Sequence, residues 1–159
     1  MYHPTPSGRV VGEVERRLGE TDIALLNLDP GLTYSNEIFA SPGTTTGRVV
    51  RGIRNWRDMQ LYSPIYMENP FTGYAEGQFL GVQYKRLPAN EPAPLLPWVF
   101  QTWLYMGQGS LEEPMDGSCG SVVVNKEGFA LCFFRWKDLD GHSIGVSATE
   151  LKNYGFQIA

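Results

Sequence analysis

A cysteine flanked by glycines has the clearest chemical potential in this sequence. Cys119 lies within residues 116–121, DGSCGS, and the apolar run 122–124 follows at once. Glycine permits backbone angles that a side chain would forbid, and it lets a substrate carbonyl approach the main chain closely. The N–H groups of Gly117 and Cys119 are therefore placed to point at one developing oxyanion. As a thiolate, Cys119 would be the attacking group.

An aspartate precedes an apolar stretch far upstream of this turn. Asp22 is followed by residues 23–28, IALLNL, which are apolar enough for a strand that is buried on both faces. A carboxylate at the mouth of such a strand can cap the turn by accepting hydrogen bonds from nearby N–H groups. A turn cap is thus one role for Asp22, and a catalytic role is the other.

The two segments together resemble motifs of the chymotrypsin-like (trypsin-fold) peptidases. In that family D-I-A-L-L-x-L carries the acid of the catalytic triad, and G-x-[SC]-G-[GS] carries the nucleophile. The resemblance implies that Asp22 is the acid, Cys119 the nucleophile and Gly117 the oxyanion glycine, in the family's order along the chain. The pattern D-G-x-C-G-S before a Val-rich strand is also similar to uncharacterised trypsin-like proteins of filamentous fungi. The implied activity is peptide hydrolysis by acyl transfer.

The sequence departs from the pattern of the family in three ways. The family supplies its histidine base from the first barrel, upstream of the acid, and only 21 residues precede Asp22 here. Ser118 stands where secreted members carry an aspartate that accepts the new N-terminus on activation, and Val122 replaces the usual proline. We therefore expect a truncated or degenerate peptidase that lacks its base in this chain and is catalytically silent. Viral chymotrypsin-like cysteine peptidases are similar in using a thiol.

Neither of the two histidines is a convincing base. His3 precedes a predicted strand of about ten residues that leads into Asp22, so the start of that strand lies about 30 Å away at 3.3 Å per residue. His142 lies in the turn before the last predicted strand. We expect an exposed terminal histidine and a solvated turn histidine.

The other candidate residues also have structural alternatives. Ser118 is the neighbouring alternative nucleophile, although Cys119 holds the matching place between the glycines. Cys132, in the strand-like run 129–134, is expected to be buried and inert. With two cysteines, the chain can form at most one disulfide.

Two segments could bind a peptide substrate. Glu113 lies six residues before Cys119, where the resembled enzymes place the residue at the base of the specificity pocket. An acid there would favour a Lys or Arg side chain, whereas the alternative is an exposed loop acid. Phe134, Arg135 and Trp136 match the family's edge that pairs with an extended peptide, and their aromatic rings are equally explained as core.

The pattern of short apolar runs and turns predicts an all-β fold, and the resemblance implies that this fold is a chymotrypsin-like antiparallel β-barrel. The 18 glycines and 11 prolines punctuate the sequence as many strands and turns require. The resemblance assigns residues 1–30 to a remnant hairpin of the first barrel, 31–59 to the inter-barrel linker and 60–159 to a complete second barrel of six strands. A strand is expected over 8–18, with Val10, Val14 and Leu18 facing inward. The other predicted elements are strands at 23–28, 61–68, 78–86, 98–106, 120–124, 128–136 and 143–147, and a short helix at 149–154.

Composition narrows the classes of partner. The chain is 42% hydrophobic with a net charge of −4 and scattered basic residues, so we expect neither a disordered chain nor a nucleic-acid-binding surface. No run approaches the roughly 20 apolar residues of a membrane span, and no secretory signal is visible, so a cytoplasmic location is expected. We expect no cofactor and no metal.

The expected partner is a polypeptide substrate or a protein. The main alternative is a pseudo-enzyme that binds extended peptides without cleaving them, and 4 Trp and 8 Tyr suggest a weaker one, a carbohydrate-binding domain. The apolar first-barrel hairpin is also expected to expose an edge through which chains associate.

Overall fold

The computed structural model describes residues 2–3, 9–18, 23–38, 49–69, 73–85, 97–107 and 118–158. Within these ranges the chain forms eleven strands, a 3-10 turn at Trp56–Asp58 and one α-helix. The elements are β1 (Tyr2–His3), β2 (Arg9–Val10), β3 (Gly12–Arg17), β4 (Ala24–Leu28), β5 (Gly52–Ile53), β6 (Pro64–Asn69), β7 (Gly73–Lys85), β8 (Trp98–Gly107), β9 (Val122–Asn125), β10 (Phe129–Lys137), β11 (Ser143–Ser147) and α1 (Ala148–Asn153).

Six antiparallel strands close into a barrel. Each strand from β6 to β11 pairs with two others of the six, in the order β6-β7-β8-β11-β10-β9, and β9 returns to β6. Strand β10 also pairs with the short β5 in parallel. The placement of β9 beside β6 makes the first four strands a Greek key. Closure leaves the barrel without the unpaired edges of an open sheet. The expected all-β, chymotrypsin-like antiparallel barrel with a short C-terminal helix is confirmed.

Strand β7 is longer than its sequence predicts. It begins at Gly73 rather than at residue 78, because the glycine-containing stretch 73–77 pairs in register with β6. Gly77 is required there by space: a Cβ on it would lie 2.5 Å from the Leu104 carbonyl oxygen and 2.7 Å from the Trp103 ring. Glycine therefore lets the indole of the facing strand occupy the barrel interior.

Apolar side chains from β6 to β10 form the core cluster of the barrel, and Ile144 and Val146 of β11 are buried as well. Trp103 is 1% exposed, and its ring lies against Phe134 and Tyr105 at centroid distances of 5.9 and 6.1 Å. The core cluster consists of Ile65, Met67, Ala75, Phe79, Trp103, Tyr105, Val123, Leu131, Cys132 and Phe134.

The helix α1 places a carboxylate against β8. Glu150 is 8% exposed, and its Oε1 accepts a hydrogen bond from the Val99 N–H at 3.3 Å. Burial raises the pKa of Glu150, against the opposing effects of the bond from Val99, a bond from Asn153 and the charge of Arg57. The helix end is therefore linked to the barrel by a group that is costly to ionise.

The N-terminal strands belong to a compact unit distinct from the one that contains the barrel. In it, β1 pairs with β2, and β3 pairs with β4, both antiparallel. The expectation for the inward face of this segment is partly wrong: Leu18 is buried, but Val10 and Val14 are 45% and 54% exposed. Strand β4 is not buried on both faces either, because its residues are exposed or half-buried. A two-stranded hairpin has no second layer of its own that could cover an apolar face.

No helix in the described ranges is both long and apolar enough to cross a bilayer.

Candidate active site at Cys119

The cysteine lies at the tip of a tight turn that precedes β9. The Ser121 N–H donates to the Ser118 carbonyl at 3.1 Å and closes the turn. Gly120 occupies its third position with φ +87°, as in a type II turn, where glycine is favoured because other residues rarely adopt positive φ. One glycine of the motif is thus explained by local geometry alone.

Backbone hydrogen bonds attach this turn to β10. The Gly120 N–H donates to the Phe134 carbonyl at 2.7 Å, and the Phe134 N–H donates to the Ser121 carbonyl at 2.9 Å. The Phe134 side chain is itself buried against Trp103 in the core. The position of the turn is therefore fixed by the packing of the barrel.

The thiol of Cys119 is exposed and contacts a backbone carbonyl group of β10. Its Sγ–H donates to the Arg135 carbonyl oxygen at 2.9 Å. The Cys119 N–H donates no hydrogen bond to any other residue that the structure describes. Attack on a carbonyl needs a nucleophile such as this thiol, and stabilisation of the oxyanion needs an uncommitted N–H donor. The carbonyl partner, however, cannot take up a proton.

Cys132 differs from Cys119 in the exposure of its thiol. It lies within β10, is 1% exposed, and has a pKa raised by burial. Its thiol is therefore disfavoured as a thiolate, whereas Cys119 lies at the surface. Both cysteines are free.

A bulge in β10 positions the residues beside the thiol. Phe134 faces Gly145 of β11 and Trp136 faces Ile144, so Arg135 is the extra residue on its strand. Pairing between β9 and β10 ends at Phe133, so Arg135 and Trp136 lie beyond it. These residues therefore extend the strand past its neighbour on the side of Cys119.

The half-buried Trp136 ring is held among charged and aromatic neighbours. It lies 5.3 Å from the Phe100 ring, and the Lys85 ammonium and Arg135 guanidinium lie 4.5 and 5.1 Å from its centroid. Cations over an indole face are attracted by its quadrupole. Of the three β10 residues predicted to bind substrate, Arg135 and Trp136 have side chains outside the core cluster, and Phe134 contributes its ring to the core.

Three predicted site residues lie outside the described residues. These are Asp22, Gly117 and Glu113, the predicted acid, oxyanion glycine and specificity residue. The backbone of His3 pairs with Arg9 in the β1–β2 sheet, and its side chain is not among those described. The roles of all four therefore remain predictions.

The second histidine belongs to a different cluster. His142 Nδ1 lies 3.4 Å from Asp138 Oδ2, and Asp138 Oδ1 accepts the N–H groups of Asp140 and His142. Burial tends to raise the pKa of Asp138, but the hydrogen bonds and charge of His142 prevail and lower it. Ligand atoms of Asp138, Asp140 and His142 lie within 4.8 Å of one another, which is close enough to hold a cation.

The comparisons with known proteins bear on the fold. No protein-family model and no curated protein sequence matches the chain. Its structure is similar to the active form of the Rv3671c protease from M. tuberculosis, with a TM-score of 0.59 and 14% sequence identity. The match covers 89% of this chain and 56% of that chain, so the chain spans little more than half the length of its structural relative. At that identity the likeness shows the fold alone, and the fold of this protein is that of the chymotrypsin-like β-barrels.

Proposed function

We propose that this chain carries the nucleophile of a chymotrypsin-like cysteine peptidase site, with Cys119 as the attacking residue. The observation that supports it most is the exposed thiol on a turn hydrogen-bonded to β10, beside the strand end that contains Arg135 and Trp136. An extended peptide added along that strand end would bring a backbone carbonyl to the thiol. The likeness to a protease in fold supports the same assignment.

The proposed chemistry is acyl transfer. A histidine takes the thiol proton, the Cys119 sulfur bonds to the peptide carbonyl carbon, and the oxyanion accepts the Cys119 N–H. The histidine returns the proton to the leaving amine as the C–N bond breaks. Water then hydrolyses the thioester. Gly117 would give the second oxyanion donor and Asp22 would orient the histidine.

The base is the part that the described residues do not bring to Cys119. Within those ranges its sulfur has one hydrogen-bond partner, the Arg135 carbonyl. Loss of one member of a catalytic set lowers the rate by several orders of magnitude. We therefore propose that this chain by itself is a degenerate, silent form of the peptidase, and that a histidine from another segment or chain would activate it.

Activity and labelling measurements test the assignment together. Hydrolysis of peptide, casein or thioester substrates should be indistinguishable between the wild type and Cys119→Ala. Iodoacetamide under native conditions, followed by mass spectrometry, should label Cys119 much faster than Cys132 because only Cys119 is exposed. Equal labelling would refute the site. A rate that disappears in both Cys119→Ala and His3→Ala would instead identify His3 as the base.

The second candidate function is peptide binding without cleavage. Two observations favour it. The thiol is bonded to a carbonyl, which cannot take up its proton, and the end of β10 extends beyond its pairing with β9, where a peptide could be added. Fluorescence polarisation with an extended-peptide library would detect it, and Trp136→Ala should weaken binding more than Cys119→Ala. Tyr154→Ala is a matched control, because Tyr154 is an exposed aromatic residue outside β10. A glycan array that gives ligands where the peptide library gives none would support carbohydrate binding instead.

Two finer assignments follow from the same proposal. Glu113 would select Lys or Arg side chains, so Glu113→Gln should reduce the preference for basic peptides.

The β3–β4 hairpin would associate with another polypeptide, because Val14 on β3 and Leu28 on β4 are exposed apolar side chains.

A further inference from the structure

A polar pocket lies near the opposite end of β9 from Cys119. Cys119 precedes β9, whereas residues 125–127, which line the pocket, end β9 and follow it. The pocket has a volume of about 420 Å³, within the range of sites for small molecules. Arg54, Asp58 and Tyr62 line its other side.

The pocket is lined by two donors that have no acceptor among the described residues, and only Arg54 Nε of the two is buried. Arg54 has a fixed backbone, because its N–H donates to the Ala130 carbonyl at 3.0 Å, but its Nε is buried without a hydrogen-bond partner. Asn125 is 5% exposed, and its Oδ1 accepts the N–H groups of Glu127 and Phe129 at 3.1 and 2.9 Å. That arrangement leaves Asn125 Nδ2 with no acceptor among the residues described. A buried donor without a partner is costly, so an acceptor that reached Arg54 Nε would stabilise it, and Asn125 Nδ2 offers a second donor to a ligand.

The charged residues around these donors indicate which charges a ligand would carry. Lys126 and Glu127 are paired with each other at 3.7 Å at the exposed rim of the pocket. Arg54 and Asp58 form no ion pair with any other described residue. The pocket thus presents one uncommitted cation and one uncommitted anion, a combination that disfavours a dianion such as phosphate. A guanidinium binds a planar carboxylate through parallel N–H bonds, and Asp58 can accept from an ammonium.

The turn that forms one wall is strained. The Ser63 N–H donates to the Gln60 carbonyl at 3.1 Å, and Tyr62 within this turn has φ +64°. A bulky residue rarely adopts that conformation, and such strain is concentrated at binding sites. Its N–H is held by the Phe79 carbonyl at 2.7 Å, so the wall is anchored to β7.

We propose that this pocket binds a small zwitterion, an amino acid or short peptide. Its carboxylate bonds to the Arg54 guanidinium and Asn125 Nδ2, and its ammonium lies against Asp58. The site is independent of the Cys119 chemistry, and no covalent step takes place in it.

NMR titration of the wild-type protein with alanyl-alanine tests this proposal. The Arg54 Nε–Hε signal, assigned by its loss in Arg54→Lys, should shift saturably. Alanyl-alaninamide, which lacks the carboxylate, and N-acetyl-alanyl-alanine, which lacks the ammonium, should each bind about tenfold more weakly, as expected for the loss of a charged hydrogen bond. Arg54→Lys should lower the affinity by a similar factor, and Arg57→Lys, which lies outside the pocket lining, should not.

The comparison of ligands needs no variant, so it holds even if Arg54→Lys fails to fold. Asp58→Asn should remove the difference between alanyl-alanine and its acetylated form. The proposal is overturned if the Arg54 signal does not move up to the solubility limit of the dipeptide. Equal binding of the dipeptide and its amide would also overturn it.

Discussion

The turn that presents Cys119 depends on the positive φ of Gly120, and Gly120→Ala tests this dependence. A Cβ there would meet nothing within 4 Å, so the substitution changes backbone conformation alone and no packing. The left-handed conformation costs an L-residue about 1–2 kcal/mol. Alanine also lowers the conformational entropy of the unfolded chain, which offsets about 0.4–1 kcal/mol of this cost. We expect a net destabilisation of about 1 kcal/mol, which is about 2–4 °C in Tm for a chain of this size.

Gly155→Ala is the matched control. Gly155 has φ +86° and also has open space around its Cβ position, but it lies after α1. Its effect on Tm should therefore equal that of Gly120→Ala, while its effect at the site should be nil.

Hydrogen exchange distinguishes the two variants locally. The Phe134 N–H is bonded to the Ser121 carbonyl, so loosening the turn by about 1 kcal/mol should speed its exchange about fivefold. Gly155→Ala should leave this amide protected, apart from any global effect. Unchanged protection of Phe134 in Gly120→Ala, or equal loss in both variants, would refute the dependence of the turn on Gly120.

Three further predictions concern stability and association. Because the folded state holds the Glu150 proton more tightly than the unfolded chain, stability falls as pH rises from the ordinary glutamate pKa through the raised one. Glu150→Gln keeps an acceptor for Val99 and should raise Tm at pH 7 but not in acid; a loss of equal size at both pH values would contradict this. Gly77→Ala should destabilise by about 1–3 kcal/mol in urea, since its Cβ would overlap Trp103, and an unchanged midpoint would exclude the overlap. Val14→Lys should reduce concentration-dependent association in sedimentation velocity; a wild type that stays monomeric would rule out association through the hairpin.

The barrel strands were predictable because each one is an apolar run between turn residues. The ends of β8, β10 and β11 fall within one residue of their predicted positions. The first half of β7 was missed because its pairing with β6, and not its own propensity, makes it a strand.

The N-terminal segment and the sites show what sequence patterns omit. Val10 and Val14 have the alternation of a buried strand face, but a pattern does not supply the layer that would cover them. The exposure of Cys119 could be predicted from its motif. Its hydrogen-bond partner, the Arg135 carbonyl, could not, because Arg135 lies at a bulge in β10 that depends on pairing with β11. The pocket at Arg54 is lined by residues about 70 positions apart in the sequence, so no local motif predicts it.

Phe134 belongs to the core through its ring and to the candidate active site through its backbone. Local opening of a segment fixed this way has a high free energy, in contrast to a surface loop that frays at a small one. Heating should therefore release the Cys119 turn and the tryptophan core in one transition. Labelling of the buried Cys132 would then report this global unfolding, and substitutions deep around Trp103 would alter the reactivity of Cys119 at the surface.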